Sequence, residues 1–321
     1  MPEKDYVWLP RDDLLTYEEM ATLVRALMGV GIDKVRLTGG EPLARADVPV
    51  LVRLLATQAG PDGGPGPSPG LRDLALTTNG VLLADHARAL REAGLGRLTV
   101  SLDTLRPDRF LAMTGRDVHR RVLAGIDAAR AAGFSPLKID TVVLRGQNDD
   151  EVADLVAFGR EIDAEVRFIE YMDVGGATRW ARGAVVSRAE ILASVARVHG
   201  PVAPAAARGS DPAERFLLRD GTAFGVIAST TAPFCGACDR ARLTADGVWY
   251  QCLYAPAGLD LRAPLRAGTP PAEIAALVSR AWEARADRGA EARLGARDRG
   301  PIIPVEALRR DPHLEMHTRG G

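Results

Sequence analysis

Two hydrophobic periods alternate through the first half of the chain. Met20, Leu23, Val24, Leu27 and Met28 recur at the spacing of one helix face, behind the capping box Thr16-Tyr17-Glu18-Glu19 and ahead of Gly29. Short apolar runs predict strands at Lys34–Thr38, Leu74–Thr77, Leu98–Ser101, Leu137–Leu144 and Glu165–Tyr171. Helical patterns lie between them: one capped by Asp47 and running to about Gln58, then Asp85–Ala93, Arg120–Ala132 and Asp150–Ile162. This alternation predicts βαβ units, hence an α/β fold with a parallel sheet or barrel. Glycine or polar residues follow the strands: Gly39-Gly40-Glu41-Pro42, Thr77-Thr78-Asn79-Gly80, Ser101-Leu102-Asp103 and Met172-Asp173. In a parallel barrel such ends share the ligand-binding face. No strand pattern precedes the first helix.

The period breaks after Met172. Ser187 caps a helix, residues 201–213 read as an Ala/Pro-rich linker, and 217–227 read as a hairpin about Asp220-Gly221. A charged helix at about 271–288 leads to a tail ending Gly320-Gly321. The expected division is a barrel portion, 1–172, and a C-terminal domain, 173–321. Residues 60–70, GPDGGPGPSPG, read as a flexible loop.

Composition changes this picture little. With 321 residues, 46% apolar and 26% charged, the chain is expected to be a soluble globular protein larger than one core usually organises. A net charge of −1 gives no reason to expect nucleic acid or an anionic membrane as partner. The N-terminus is polar and no apolar run is long enough to span a bilayer, so a cytoplasmic protein is expected.

Candidate chemistry concentrates in three cysteines, Cys235, Cys238 and Cys252, spaced C-x2-C-x13-C. Thiolates at C-x2-C spacing can meet one ion or one cluster edge. A structural zinc wants four donors and would need His199, His313 or His317. An iron–sulfur cluster can be held by three cysteines with one iron open. The lack of a fourth cysteine or nearby histidine favours the cluster, and unrelated buried thiols are the bland alternative. Arg240 and Arg242, two apart, point to one side of an extended segment and suit an anionic planar ligand; otherwise they are solvated arginines. Lys138 in a parallel strand points into a polar interior or pairs with Asp140. With Arg36 and Arg167 it could form an anion site. Ser101 and Asp103 could bind a ribose or cap a turn, and Met172 reads as core. There is no Walker A loop, GxGxxG, HExxH or GxSxG.

Taken in order, KVRLTGGEPL (34–43), LTTNG (76–80), SLD (101–103), RFIEYMDVG (167–175), FCGACDRARLTADG (234–247) and the final Gly-Gly resemble the MoaA family. These are the radical S-adenosylmethionine (SAM) GTP cyclases of molybdenum-cofactor biosynthesis. The resemblance implies an incomplete parallel (βα)6 barrel with a C-terminal cluster domain. It implies a lyase in which one [4Fe–4S] cluster cleaves SAM, and the resulting radical starts conversion of GTP to a 3′,8-cyclised product. It assigns Cys235, Cys238 and Cys252 to a second [4Fe–4S] cluster. Arg36, Thr77, Lys138, Arg240, Ala241 and Arg242 would contact GTP, and Gly40, Ser101 and Met172 would contact SAM. The Gly320-Gly321 tail would reach the active site. Implied partners are an electron donor, a downstream pyranopterin monophosphate synthase and a second copy in a homodimer.

The chain departs from that pattern. The family carries C-x3-C-x2-C near its N-terminus, holding the SAM cluster, whereas Met1-Pro2-Glu3 resembles the sequence just after the third of those cysteines. The first barrel strand is expected to be missing too, leaving its neighbour with an unpaired edge. Asp140 stands where the family usually has Asn. Either the natural chain starts further upstream and is active, which the near-intact motifs favour, or a short form binds GTP and one cluster without radical chemistry. The chain as given is expected to be inactive. The alternatives are a non-catalytic GTP-binding iron–sulfur protein and a zinc-stabilised structural module.

Overall fold

Thr16 opens the first helix as its capping box requires: its hydroxyl accepts from Glu19 N and its own N–H donates to Glu19 Oε2. The structure is a computed structural model that describes residues 8–58, 71–174, 180–205, 209–296 and 299–320. The 60–70 loop, Met1-Pro2-Glu3 and Gly321 lie outside the described residues. The barrel portion contains α1 (Tyr17–Met28), β1 (Lys34–Leu37), α2 (Val48–Ala56), β2 (Asp73–Thr78), α3 (Leu83–Glu92), β3 (Arg97–Ser101), α4 (Pro107–Thr114), α5 (His119–Ala131), β4 (Leu137–Val143), α6 (Val152–Glu161) and β5 (Ala164–Glu170). The periodicity missed α4. Asp47 occupies the N-cap position of α2 but adopts left-handed backbone (φ 58°) and makes no side-chain cap bond.

The sheet runs past residue 172. After α7 (Arg188–His199), which has its own capping box at Ser187, come β6 (Ala203–Pro204), β7 (Glu214–Leu217) and β8 (Ala223–Ile227). β7 and β8 form the expected hairpin, and β8 also pairs parallel with β5. The sheet order is β1-β2-β3-β4-β5-β8-β7-β6, so six strands run parallel and two extend the far end antiparallel. β1 is the other edge, with no strand on its outer side among the described residues.

Side-chain alternation splits this sheet into two unlike faces. Leu74, Leu76, Leu98, Val100, Leu137, Ile139, Val166, Phe168, Phe224 and Val226 face the helices in one continuous apolar core. The intervening positions carry polar groups to the concave side. Register places Thr77, Thr99, Lys138 and Glu165 across neighbouring strands, and Ser101, Asp140, Arg167 and Gly225 one layer on. Gly225 leaves room there: a methyl group would come within 3.3 Å of Arg167 Cγ.

The remaining elements form a second layer at the barrel mouth. They are β9 (Arg242–Leu243), β10 (Val248–Tyr250), β11 (Leu259–Asp260), α8 (Arg262–Arg266), α9 (Pro271–Glu283), α10 (Gly289–Leu294), α11 (Val305–Arg310) and α12 (Met316–Arg319). Their apolar core is small: Trp249, Leu261, Ile274 and Val278 against Leu15, Leu23, Ala26 and Leu27. Helix α1 serves both cores, giving Ala21, Val24 and Met28 to the barrel side.

Asp173, directly after β5 and Met172, ties the layers together. Its fully buried carboxylate accepts from Arg299 Nε at 2.9 Å, Arg293 Nε at 2.9 Å and Tyr254 Oη at 3.0 Å. Burial raises its pKa, but the arginines outweigh that and hold it below the usual carboxylate range. Removing one partner of a buried charge cluster leaves the others uncompensated. Asp173→Ala is expected to cost about 3–5 kcal/mol in urea unfolding; a loss under ~1 kcal/mol, the range of an exposed pair, would deny the cluster its structural role.

Candidate functional site

The concave face gathers the charges that the strand pattern predicted. Arg36 donates from Nη1 to Thr77 Oγ1 at 2.9 Å and to Thr99 Oγ1 at 3.0 Å. Burial lowers its pKa, with Asp140 opposing and Arg97 and Arg167 reinforcing. Lys138 is buried and pushed down to about 8, by burial first and then by Arg167 and Arg97, with Glu165 opposing. Arg167 donates from Nε to Glu165 Oε1 at 2.8 Å, and Glu165 Oε2 also takes Arg215 at 2.8 Å. Burial raises the Asp140 pKa against Arg167, Arg36 and Lys138, and its Oδ1 is buried without a hydrogen-bond partner. Arg36, Thr77, Lys138 and Arg167 therefore share one interior.

The loops after the strands form its rim. Glu41, which the sequence reading passed over, accepts from Thr78 Oγ1 (2.8 Å), Leu43 N (3.0 Å) and Asn79 N (2.7 Å). It locks the GGEP turn to the TTNG turn. Ser101 is exposed at the end of β3, whereas Asp103 Oδ1 accepts from Val142 N at 2.8 Å. Met172 is half-buried and belongs to neither apolar core.

Cys235 and Cys238 sit on one tight turn, with Cys238 N donating to Cys235 O at 3.1 Å. Cys252 follows β10, whose Tyr250 stands opposite Arg242 on β9. All three thiols are free and half-buried. Arg240 Nη2 approaches Cys238 Sγ at 3.6 Å. Arg242 is held down to about 10 by burial and then by Arg240, with Cys252 and Cys238 both opposing, so it lies within electrostatic reach of both thiols. The Nε atoms of Arg240 and Arg242 are buried without partners. Ala241 is partly buried and packs on the Trp249 core.

Among the described residues, no group of three or more His, Cys, Asp or Glu is gathered closely enough to hold a metal ion. The histidines a zinc would need are placed elsewhere. His199 Nε2 bonds Ala153 O at 2.8 Å, His313 bonds Asp246 at 2.7 Å and Asp311 at 3.0 Å, and His317 packs against Trp8 at a 52° tilt, 4.6 Å between ring centroids.

The tail crosses this rim. A methyl group on Gly320 (φ 73°) would meet Thr38 Cγ2 at 2.6 Å, and one on Gly40 would meet Trp8 at 3.3 Å and His317 Cβ at 3.4 Å. Glycine at 320 is required both by backbone and by approach. His313 anchors the preceding turn. Burial lowers its pKa, but bonds and charges from Asp246 and Asp311 outweigh this and hold it above the ordinary value. Such a histidine contributes stability fully present below its unfolded value of about 6.5 and lost as pH rises through the folded value. Melting temperature is expected to fall over that rise in the parent chain and to fall less in Asp246→Asn; equal slopes in both would remove this pair as the source.

Two family descriptions match the chain: "Radical SAM superfamily" over residues 4–159 and "Molybdenum Cofactor Synthesis C" over 164–291. The chain is 54% identical over 321 residues to GTP 3′,8-cyclase 3 of Mycobacterium bovis, covering 100% of itself and 83% of that protein. It is 55% identical to GTP 3′,8-cyclase 1 of Mycobacterium tuberculosis H37Rv, covering 100% of itself and 88% of that protein. With the GTP 3′,8-cyclase of Acidothermus cellulolyticus it shares 48% identity over 296 residues, 90% of this chain and 79% of that one. No helix among the described residues is long and apolar enough to cross a membrane.

Proposed function

The chain belongs to the GTP 3′,8-cyclase family of radical SAM enzymes, and from that premise we propose that it binds GTP between the barrel interior and the cysteine turn. The observation that carries this reading is the presence of two cationic sets. Arg36, Lys138 and Arg167 line the interior, and Arg240 and Arg242 offer unpartnered Nε donors beside the thiols. The first set suits the polyphosphate and the second a planar, polar base.

Cys235, Cys238 and Cys252 are assigned here to a [4Fe–4S] cluster. Three thiols with neighbouring guanidiniums fit a cluster, which spreads its ligands around a cage, better than one zinc ion, whose further ligands are engaged elsewhere. If bound, SAM and a reduced cluster would supply the radical chemistry of the family, with the electron coming from an external donor. Gly40, Ser101 and Met172 would line the SAM side of the rim, and the tail at Gly320 would cover it. Arg36 and Lys138 orient the nucleotide, while the tail restricts water. These 321 residues carry three cysteines, enough for this one cluster. Of themselves they are proposed to bind GTP and not to cleave SAM.

Anaerobic reconstitution of the 321-residue chain is expected to give about four irons per chain. Cys235→Ala, Cys238→Ala and Cys252→Ala should each empty the site, and GTP should perturb the cluster spectrum of the parent. Stoichiometric zinc with no cluster spectrum would sink the assignment.

Lys138 gives a separate pH test. Its protonated form pairs with an anion, so GTP affinity is expected to fall as pH rises through about 8. Lys138→Arg, which stays charged, is expected to flatten that profile. A profile unmoved by the substitution would place the polyphosphate elsewhere.

A further inference from the structure

Arg319 is an arginine at 4% exposure, one residue before the glycine that touches Thr38. Its guanidinium is almost wholly committed. Nη1 donates to Leu253 O at 2.9 Å and Ala255 O at 2.7 Å, and Nε donates to His313 O at 2.5 Å. The guanidinium carbon lies 4.5 Å above the Tyr250 ring. Nη2 is buried with no hydrogen-bond partner.

The two carbonyls flank Tyr254, in the loop that begins at Cys252. Tyr254 N reaches Cys252 Sγ at 3.4 Å and Tyr254 Oη reaches Asp173 at 3.0 Å. That loop is therefore gripped from the barrel side by Asp173 and from the tail side by Arg319. The tail needs the grip. Helix α12 spans only Met316–Arg319, one turn, which has no stability of its own in water. Its position must come from what its side chains hold, and Arg319 has the densest set of contacts there to the cysteine loop.

We propose that Arg319 is a positioning residue: its guanidinium seats the C-terminal tail on the Cys252 loop and thereby sets Gly320 against the TGGEP turn. Tail closure and the state of the cysteine loop are thus one event. This rests on the nucleotide site proposed above for its effect on binding, but the seating itself does not.

Hydrogen–deuterium exchange on the cluster-reconstituted 321-residue chain tests it, with Arg319→Ala and Arg319→Lys beside the parent. The alanine variant is expected to exchange about tenfold faster in peptides covering 311–320 and 252–256, with β2 and β4 peptides unchanged, as loss of charge-assisted bonds to one region requires. Lysine keeps the charge without the fork and should fall between the two. GTP titration of the same samples should weaken about tenfold in the alanine variant at unchanged iron content. If the alanine variant does not fold, the lysine variant decides by the same peptides. Tail exchange equal in parent and folded variants overturns the seating. Faster tail exchange in a protein whose parent form binds no GTP upholds the seating and overturns the nucleotide reading instead.

Discussion

Everything at the mouth of this barrel hangs on a buried carboxylate. Asp173 stands where β5 hands the chain to the C-terminal layer, and it draws Tyr254, Arg293 and Arg299 onto one point. Burying that charge is costly in isolation, so its partners have no comparable alternative. The geometry of the cysteine loop follows, because Tyr254 lies two residues past Cys252. A second buried acid works beside it: Glu170 accepts from Arg188 N, Thr230 N and Thr231 N at 2.7–2.9 Å, fixing α7 and the chain after β8 to the same strand end.

The barrel interior obeys a different constraint. Packed barrels fill their centre with branched apolar side chains, whereas this one carries arginines, a lysine, threonines and carboxylates. Glu165 neutralises part of the excess through Arg167 and Arg215. Arg36 leans on two hydroxyls rather than on a carboxylate, and Lys138 is held at reduced basicity. Such a surface is expensive when empty and favours an anion that arrives with its own charge.

Local signals in the sequence were reliable where chemistry is local. The capping boxes at Thr16 and Ser187, the strand parity that sends Arg36, Lys138 and Arg167 to one side, and the 217–227 hairpin all follow from neighbours within a few residues. What escaped the reading is long-range. Nothing near Ala223–Ile227 says that this strand will lie against β5, where Gly225 stands opposite Arg167, 58 residues earlier. Glu41, Asp173 and Arg319 look like ordinary surface charges until partners 37, 126 and 66 residues away are brought to them. Asp47 shows the converse: a favourable cap residue whose backbone took a left-handed turn instead.

The tilted contact of Trp8 with His317, both beside Gly40, brings the two extremities of the described fold to one spot. The first described residue and the last helix therefore meet beside the GGEP turn. Whatever occupies the space over that turn is felt by Trp8 and by the tail together, so the Trp8 indole is a built-in reporter for that spot.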